Sequence, residues 1–366
     1  MEKLKRFFKN TIVRRTLFFL LVLLCISVCI WPDFYKTQIK KAASYYWVWK
    51  GDRYYKNKKP QKAINCYKKG IAYNPKHYKA RYNLANIFVV YEDYFSAMEY
   101  YEQALKIKPS FQNARIDYAI VLANAAFNYD DAIREYEKAI RFTPKWVYIP
   151  FVINNKSTFK YNQGIAYYNL GLAWRGKSLL VGEKNFESRQ YLENAVESYS
   201  KALKISKNYS TYYNLALANQ LLNNHSEAGK YYCKAIDMEP MNFEAHYNLA
   251  ILLMNLNKLE ESIDELKKAG LLLDTKGDGM KSRYIYNVLN DVTQKMIHNN
   301  DYNYLVEHID TETDILNRDI TYVGGKVVVS SDLDRAMVKN FKKCASKKFF
   351  EDLDKDEDDE DLRFWR

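Results

Sequence analysis

Glycine and proline are scarce in this chain, at 12 and 7 of 366 residues. That rules out collagen-like and low-complexity compositions and fits an all-helical array with few turns. The five cysteines, Cys25, Cys29, Cys66, Cys233 and Cys344, are odd in number, widely scattered and without a CxxC. No disulfide framework is expected from them, and those on helices read as small core residues. There is no Gly-rich phosphate loop, no HExxH, no G-x-S-x-G and no clustered acid pair on a predicted rigid element. His77, His225, His246, His298 and His308 lack metal-ligand spacing. The stretch Asp274–Gly279 begins like a calcium loop but has Lys276 at the third position and Ile285 at the twelfth. Asn155, Asn208 and Asn224 open glycosylation triplets that are common by chance. The chain therefore reads as non-enzymatic, with neither cofactor nor metal.

What is present is repetition. Aligning the chain on Ala63, Ala97, Ala132, Ala195, Ala228 and Ser262 brings Tyr67, Tyr101, Tyr136, Tyr199, Tyr232 and Leu266 into register four residues later. A small residue follows at Gly70, Ala104, Ala139, Ala202, Ala235 and Ala269, and Pro75, Pro109, Pro144 and Pro240 close four units. Upstream lie Lys50-Gly51, Leu84-Ala85, Tyr118-Ala119, Leu170-Gly171, Leu215-Ala216 and Leu249-Ala250. The period is about 34 residues, and with Trp47, Gly51 and Tyr54 in the first unit this resembles the tetratricopeptide repeat family. The resemblance implies an all-α solenoid of about six helix–turn–helix units, 44–77, 78–111, 112–146, 164–208, 209–242 and 243–276. Repeats 1–3 fill 44–146, a connector occupies 147–163, and repeats 4–6 fill 164–276. Thr158 is expected to cap an early first helix of repeat 4. Leu179, Leu180, Val181 and Phe186 in its lengthened hairpin form either an exposed tip or, by default, a packed one.

Four units share a tetrapeptide in the first helix. These are Tyr82-Asn83-Leu84-Ala85, Tyr168-Asn169-Leu170-Gly171, Tyr213-Asn214-Leu215-Ala216 and Tyr247-Asn248-Leu249-Ala250. Leu and the small residue are structural, whereas Asn is a poor helix former that the fold does not require. In the family this register faces the concave groove, so the resemblance implies a ladder of carboxamides. Asn83, Asn169, Asn214 and Asn248 would pair with the backbone of an extended partner peptide, flanked by Tyr82, Tyr168, Tyr213 and Tyr247. A composition biased towards Asn throughout is the alternative. The family's two-carboxylate clamp is not matched, since Val48, Asp52, Asn113 and Ile116 stand at its positions and only Asn83 agrees.

The N-terminal segment 1–15 carries Lys3, Lys5, Arg6, Lys9, Arg14 and Arg15 ahead of a charge-free run from Thr16 to Trp31. Sixteen helical residues span about 24 Å, and Ile12, Val13, Phe34 and Tyr35 lengthen the run if the arginines snorkel. A single transmembrane anchor over 16–35 is expected, with the N-terminus cytoplasmic and the repeats on the far side. A cleaved signal peptide, giving a secreted soluble adaptor, is the alternative.

Net charge is +12, with nine acids and one Lys concentrated in 351–361. This acidic tail (351–366), expected to be disordered, invites contact with the basic repeat body. The basic residues lie on many helices without a nucleic-acid-binding motif, so no nucleic-acid partner is expected. Residues 277–300 are expected to cap the stack through Tyr284, Val288, Val292 and Met296. In the extension 301–350, Tyr322–Val329 reads as a hairpin, followed by a helix with an apolar face of Leu333, Met337, Phe341, Ala345 and Phe349. The expected function is a membrane-anchored scaffold that holds a peptide segment of a partner. Self-association as a structural protein is a further alternative.

Overall fold

A computed structural model describes residues 11–141, 153–182, 185–298, 320–323, 326–329, 344 and 346–350. The described chain is helical apart from one antiparallel hairpin, β1 (Ile320–Val323) with β2 (Lys326–Val329), in which Ile320 faces Val329 and Val323 faces Lys326. It divides into two compact units, Met1–Phe127 and Asn128–Arg366. Residues 1–10, the connector up to 152, Leu333, Met337, Phe341, Ala345 and the acidic tail lie outside the described residues.

The first unit holds α1 (Thr11–Ile30), α2 (Pro32–Lys56), α3 (Pro60–Tyr73), α4 (Tyr78–Val90), α5 (Tyr94–Ile107) and α6 (Gln112–Asn124). Helix α1 forms where the apolar run predicts it, but no helix among the described residues is long and apolar enough to cross a membrane. The single-pass anchor over 16–35, and the sidedness built on it, are corrected accordingly. Arg14 and Arg15 fall within α1, and Pro32 starts a separate helix after the break at Trp31. The uncharged run thus stays at about 24 Å, short of a hydrocarbon core of about 30 Å. Phe34 and Tyr35 belong to the next helix and cannot extend it.

Within this unit α2 pairs with α3 and α4 with α5 as antiparallel hairpins, and α6 packs against α5. The aligned small residues sit where backbones meet, with Ala63, Ala85, Ala97 and Ala104 all fully buried. The register Tyr residues fill the seams, and Tyr67 and Tyr101 are 2% exposed. Gly51 is needed for closeness, because a Cβ there would lie 2.5 Å from the Tyr67 ring. The turns of the first two repeats are each closed by one residue with left-handed backbone, Lys58 and Glu92. The following amide then reaches back to a carbonyl five residues earlier, Lys59 to Tyr54 and Asp93 to Phe88, both at 2.9 Å.

The second unit holds α7 (Tyr129–Arg141), α8 (Ile153–Val181), α9 (Phe186–Ile205), α10 (Tyr209–Leu221), α11 (His225–Met238), α12 (Phe243–Asn255), α13 (Leu259–Lys276) and α14 (Gly279–His298). Thr158 lies inside α8 rather than at its cap, because the helix already starts at Ile153. The expected packed tip of repeat 4 is open instead, with Leu179, Leu180 and Phe186 exposed. Helix α14 covers the last repeat through Ile285, Val288, Leu289 and Val292, whereas Tyr284 is exposed.

Cysteine usage also departs from expectation. Cys233 on α11 and Cys344 form a disulfide across 111 residues of sequence. Its two halves are too far apart in the chain for spacing to reveal it. Cys29 and Cys66 are free.

Candidate peptide-binding face

Within each unit the first helices of successive repeats lie side by side, and the Tyr-Asn tetrapeptides fall on the faces they share. In the second unit, Asn214 on α10 donates through Nδ2 to the Tyr168 hydroxyl on α8 at 3.1 Å. Asn248 on α12 repeats the contact to Tyr213 on α10 at 2.7 Å. Each carboxamide gives its second hydrogen to the carbonyl four residues back, Asn214 to Ser210 at 2.8 Å and Asn248 to Glu244 at 3.0 Å. Among the described residues Asn169 makes only the local bond, Nδ2 to the Ile165 carbonyl at 2.9 Å. The fold therefore does use these side chains. Their N–H groups stitch one repeat to the next, and among the described residues Oδ1 of Asn169, Asn214 and Asn248 has no protein partner.

The first unit uses the same register differently. Asn83 donates to Asp52 Oδ1 at 2.9 Å, an oxygen that also accepts from the Tyr67 hydroxyl at 2.7 Å. The Tyr82 hydroxyl donates to Asp117 Oδ2 at 2.7 Å. Asp117 immediately precedes Tyr118-Ala119 and so occupies the Asn position of repeat 3. Burial raises its carboxyl above the usual range, with the Tyr82 bond opposing.

Phenols along both faces titrate high because burial disfavours the phenolate. Tyr168 and Tyr213 are raised, and burial together with the Tyr284 phenol brings Tyr247 to about 12. Arg175 on α8 opposes this shift in Tyr168, Tyr199, Tyr213 and Tyr232, so its charge acts on the middle of the second unit's face. Its guanidinium is half-buried and forms no hydrogen bond or ion pair among the described residues. The two faces thus differ in chemistry. The first carries Asp52 and Asp117, and the second carries free carboxamide oxygens beside a cation.

Sequence reasoning missed Asp117 and Arg175, and met Asp52 only as a mismatch to the two-carboxylate clamp. Asp117 was within reach, since it stands in the Asn register. Asp52 and Arg175 lie off that register, and only the packed helices bring them to the face. Among the described residues, no group of three or more His, Cys, Asp or Glu is placed to hold a metal ion.

Paired antiparallel helices with small residues at the contacts and a polar seam along the first helices define an all-α helical-repeat protein. Profiles described as tetratricopeptide repeat match residues 50–110, 209–242 and 243–269, which supports a tetratricopeptide repeat protein. Such repeats are generally non-enzymatic protein-interaction modules. No curated protein matches the chain significantly. Among solved structures it is similar to Pseudomonas aeruginosa pilF, at 19% identity and TM-score 0.51, over 68% of this chain and 98% of that one. It is also similar to PilW, described as a type IV pilus biogenesis factor, at 16% identity and TM-score 0.46 over 61% and 92% of the two chains. A third is YrrB, described as a TPR protein with an unusual peptide-binding site, at 17% identity and TM-score 0.42 over 60% and 97%. At these identities the likeness concerns the fold alone.

Proposed function

We propose that this chain is a non-enzymatic scaffold whose repeat faces hold an extended peptide segment of a partner protein. The reading rests on the unpaired Oδ1 atoms of Asn169, Asn214 and Asn248. With the N–H side of Asn214 and Asn248 fixed between repeats, the acceptor side is what each leaves for a ligand, Asn214 from a buried position. Packed helices lie about 8–10 Å apart, and an extended peptide rises about 3.3 Å per residue. Successive acceptors then meet the backbone N–H of roughly every third ligand residue, independent of its side chain. Arg175 adds a site for a ligand carboxylate or carbonyl. The acidic run 351–361 is a competitor for that cation in the same molecule.

The test is selection of twelve-residue peptides from a display library on the full chain, followed by affinity measurement on variants. Arg175 makes no ion pair among the described residues, so Arg175→Gln is expected to weaken selected peptides with little effect on folding. The combined Asn83, Asn169, Asn214 and Asn248→Ala variant is expected to weaken them at least tenfold, which corresponds to about 1.4 kcal/mol or more. Deleting 351–366 is expected to tighten them. Full affinity in both the quadruple variant and Arg175→Gln would place the binding surface elsewhere.

Self-association is a second reading, favoured by Tyr45, Tyr46 and Trp49 on α2. These aromatics are exposed at 62%, 52% and 53% on the first helix of the first repeat. A sedimentation profile that stays monomeric at high micromolar concentration would count against it.

A further inference from the structure

One position in the second helix of each repeat, directly after the aligned small residue, is a large aliphatic in five units. Ile64, Met98, Ile133, Val196 and Ile263 occupy it, and repeat 5 has Gly229. Gly within a helix costs about 1 kcal/mol relative to Ala, so the exception needs a reason. The reason is Phe350. Its side chain is fully buried, and a Cβ on Gly229 would lie 2.3 Å from its Cδ1 and Cε1.

Three residues of α11 receive the same segment. The Ser226 hydroxyl donates to the Phe350 carbonyl at 2.9 Å, Gly229 makes room for the ring, and Cys233 is bonded to Cys344. Positions 226, 229 and 233 follow helical spacing, so they form one stripe of small residues. Residues 344 and 346–350 run antiparallel along it. Phe349 packs beside Phe350 with ring centroids 4.9 Å apart, and Lys258 holds its ammonium 5.0 Å over the Phe349 ring. Lys347 and Lys348 are exposed, so the segment turns its aromatics inward and its charges outward.

We propose that the Ser226–Gly229–Cys233 stripe is a docking slot for a Phe-bearing segment, filled in cis by residues 344–350, and that the Cys233–Cys344 disulfide makes its occupancy redox-dependent. A helix built only for stability would carry the aliphatic residue found in the other repeats. Here the space is left for a side chain supplied from more than a hundred residues away. A dithiol reductant provides two electrons and two protons. The S–S bond breaks, Cys233 and Cys344 become thiols, and the reductant becomes a disulfide. The tether is then lost, and only the ring contact and the Ser226 bond retain the segment. Its release opens the slot to the same aromatic chemistry on another chain.

The full chain, purified without reductant, is first alkylated and mapped by mass spectrometry. Cys233 and Cys344 are expected to be protected and recovered as a linked pair from a monomer. Alkylation of both, or linkage between two chains, would overturn the proposal. A fluorescein-labelled synthetic peptide of residues 344–350 bearing Cys344→Ser is then titrated. It is expected to bind the reduced Phe350→Ala variant at least tenfold more tightly than the oxidised unmodified chain. Adding Gly229→Ile, the residue three other repeats carry, is expected to reverse that gain, with Gly229→Ala as the milder version should Ile perturb helicity. Equal binding to the oxidised chain and to reduced Phe350→Ala, or binding indifferent to Gly229→Ile in a variant of unchanged helicity, would overturn the slot.

Discussion

Asn248 commits both of its amide hydrogens to its own protein, one to the Tyr213 hydroxyl at 2.7 Å and the other to the Glu244 carbonyl at 3.0 Å. One side chain thereby relieves a helix carbonyl and ties α12 to α10, which leaves the carboxamide pointing a fixed way. The order matters for recognition, because a fixed acceptor pays no rotamer entropy when a ligand arrives.

Removing the acceptors tests that stitch. Tyr213→Phe and Tyr168→Phe each delete one inter-repeat hydrogen bond while keeping the ring. Each is expected to cost about 0.5–1.5 kcal/mol, and the pair nearly the sum, because the two bonds share no partner. Hydrogen exchange of α10 and α12 should quicken in the double variant. Unchanged exchange would mean that the carboxamides turn to water without loss.

A second prediction concerns a buried polar pair. His246 Nε2 donates to the Pro240 carbonyl at 2.9 Å, while Nδ1 is hydrogen-bonded to Glu265 Oε2 at 2.5 Å. Lys268 pairs with the other carboxylate oxygen at 2.7 Å. Burial alone would raise Glu265, but the His246 bond and charge and then Lys268 outweigh it and hold the carboxyl below its usual 4.5. A folded pKa below the unfolded one stabilises above about pH 4.5, and that stability is lost as pH falls through the folded value. His246→Ala leaves the buried carboxylate with Lys268 as its one charged partner among the described residues and is expected to cost up to about 3 kcal/mol at pH 7. The deficit relative to the unmodified chain should shrink below pH 4, as read by denaturant titration. A deficit independent of pH would assign the effect to lost packing.

Asp117 gives the opposite sign in the first unit. Burial raises its carboxyl and the Tyr82 hydroxyl opposes only in part. A folded pKa above the unfolded one gives stability fully present below about pH 3.8 and lost as pH rises through the folded value. Asp117→Asn, the residue four other repeats carry, should stabilise the chain relative to the unmodified protein at pH 7. It should lose that advantage near pH 4. Thermal melts of the two proteins at both values decide it, and a constant gap would show that Asp117 does not titrate in this way.

The repeat register was legible because it records where backbones touch. Ala63, Ala97 and Ala228 are fully buried, and larger side chains there would separate the helices. The Tyr seam was legible for the same reason. The use made of Asn214 and Asn248 was not, since their partners Tyr168 and Tyr213 belong to the preceding unit and only stacking brings them within reach. The Gly229 slot stayed hidden because its filler lies outside the repeats altogether. At the N-terminus hydropathy placed one span over 16–35, whereas the helix runs Thr11–Ile30 and Pro32 starts another. Apolar residues on either side of that break therefore could not be added into one span.

The turns inside the repeats offer the last test. Lys58, Glu92, Asn223 and Asn257 all adopt left-handed backbone, with φ of 56°, 61°, 62° and 57°. In each case the next amide reaches back to a carbonyl five residues earlier at 2.9 Å, from Lys59, Asp93, Asn224 and Lys258. The shared geometry shows that the turn, and not the residue, sets the conformation. Asn tolerates it because its short polar side chain bonds locally, whereas the Cβ of Lys or Glu crowds the following carbonyl at about 1–2 kcal/mol. Gly removes that crowding but adds freedom to the unfolded chain, which takes back about 0.4–1 kcal/mol. Lys58→Gly and Glu92→Gly are therefore each expected to stabilise by about 0.5–1 kcal/mol, and Asn223→Gly to change little. Denaturant midpoints of the three single variants make the comparison. Equal gains at Glu92 and Asn223 would show that side-chain crowding is not what these turns carry.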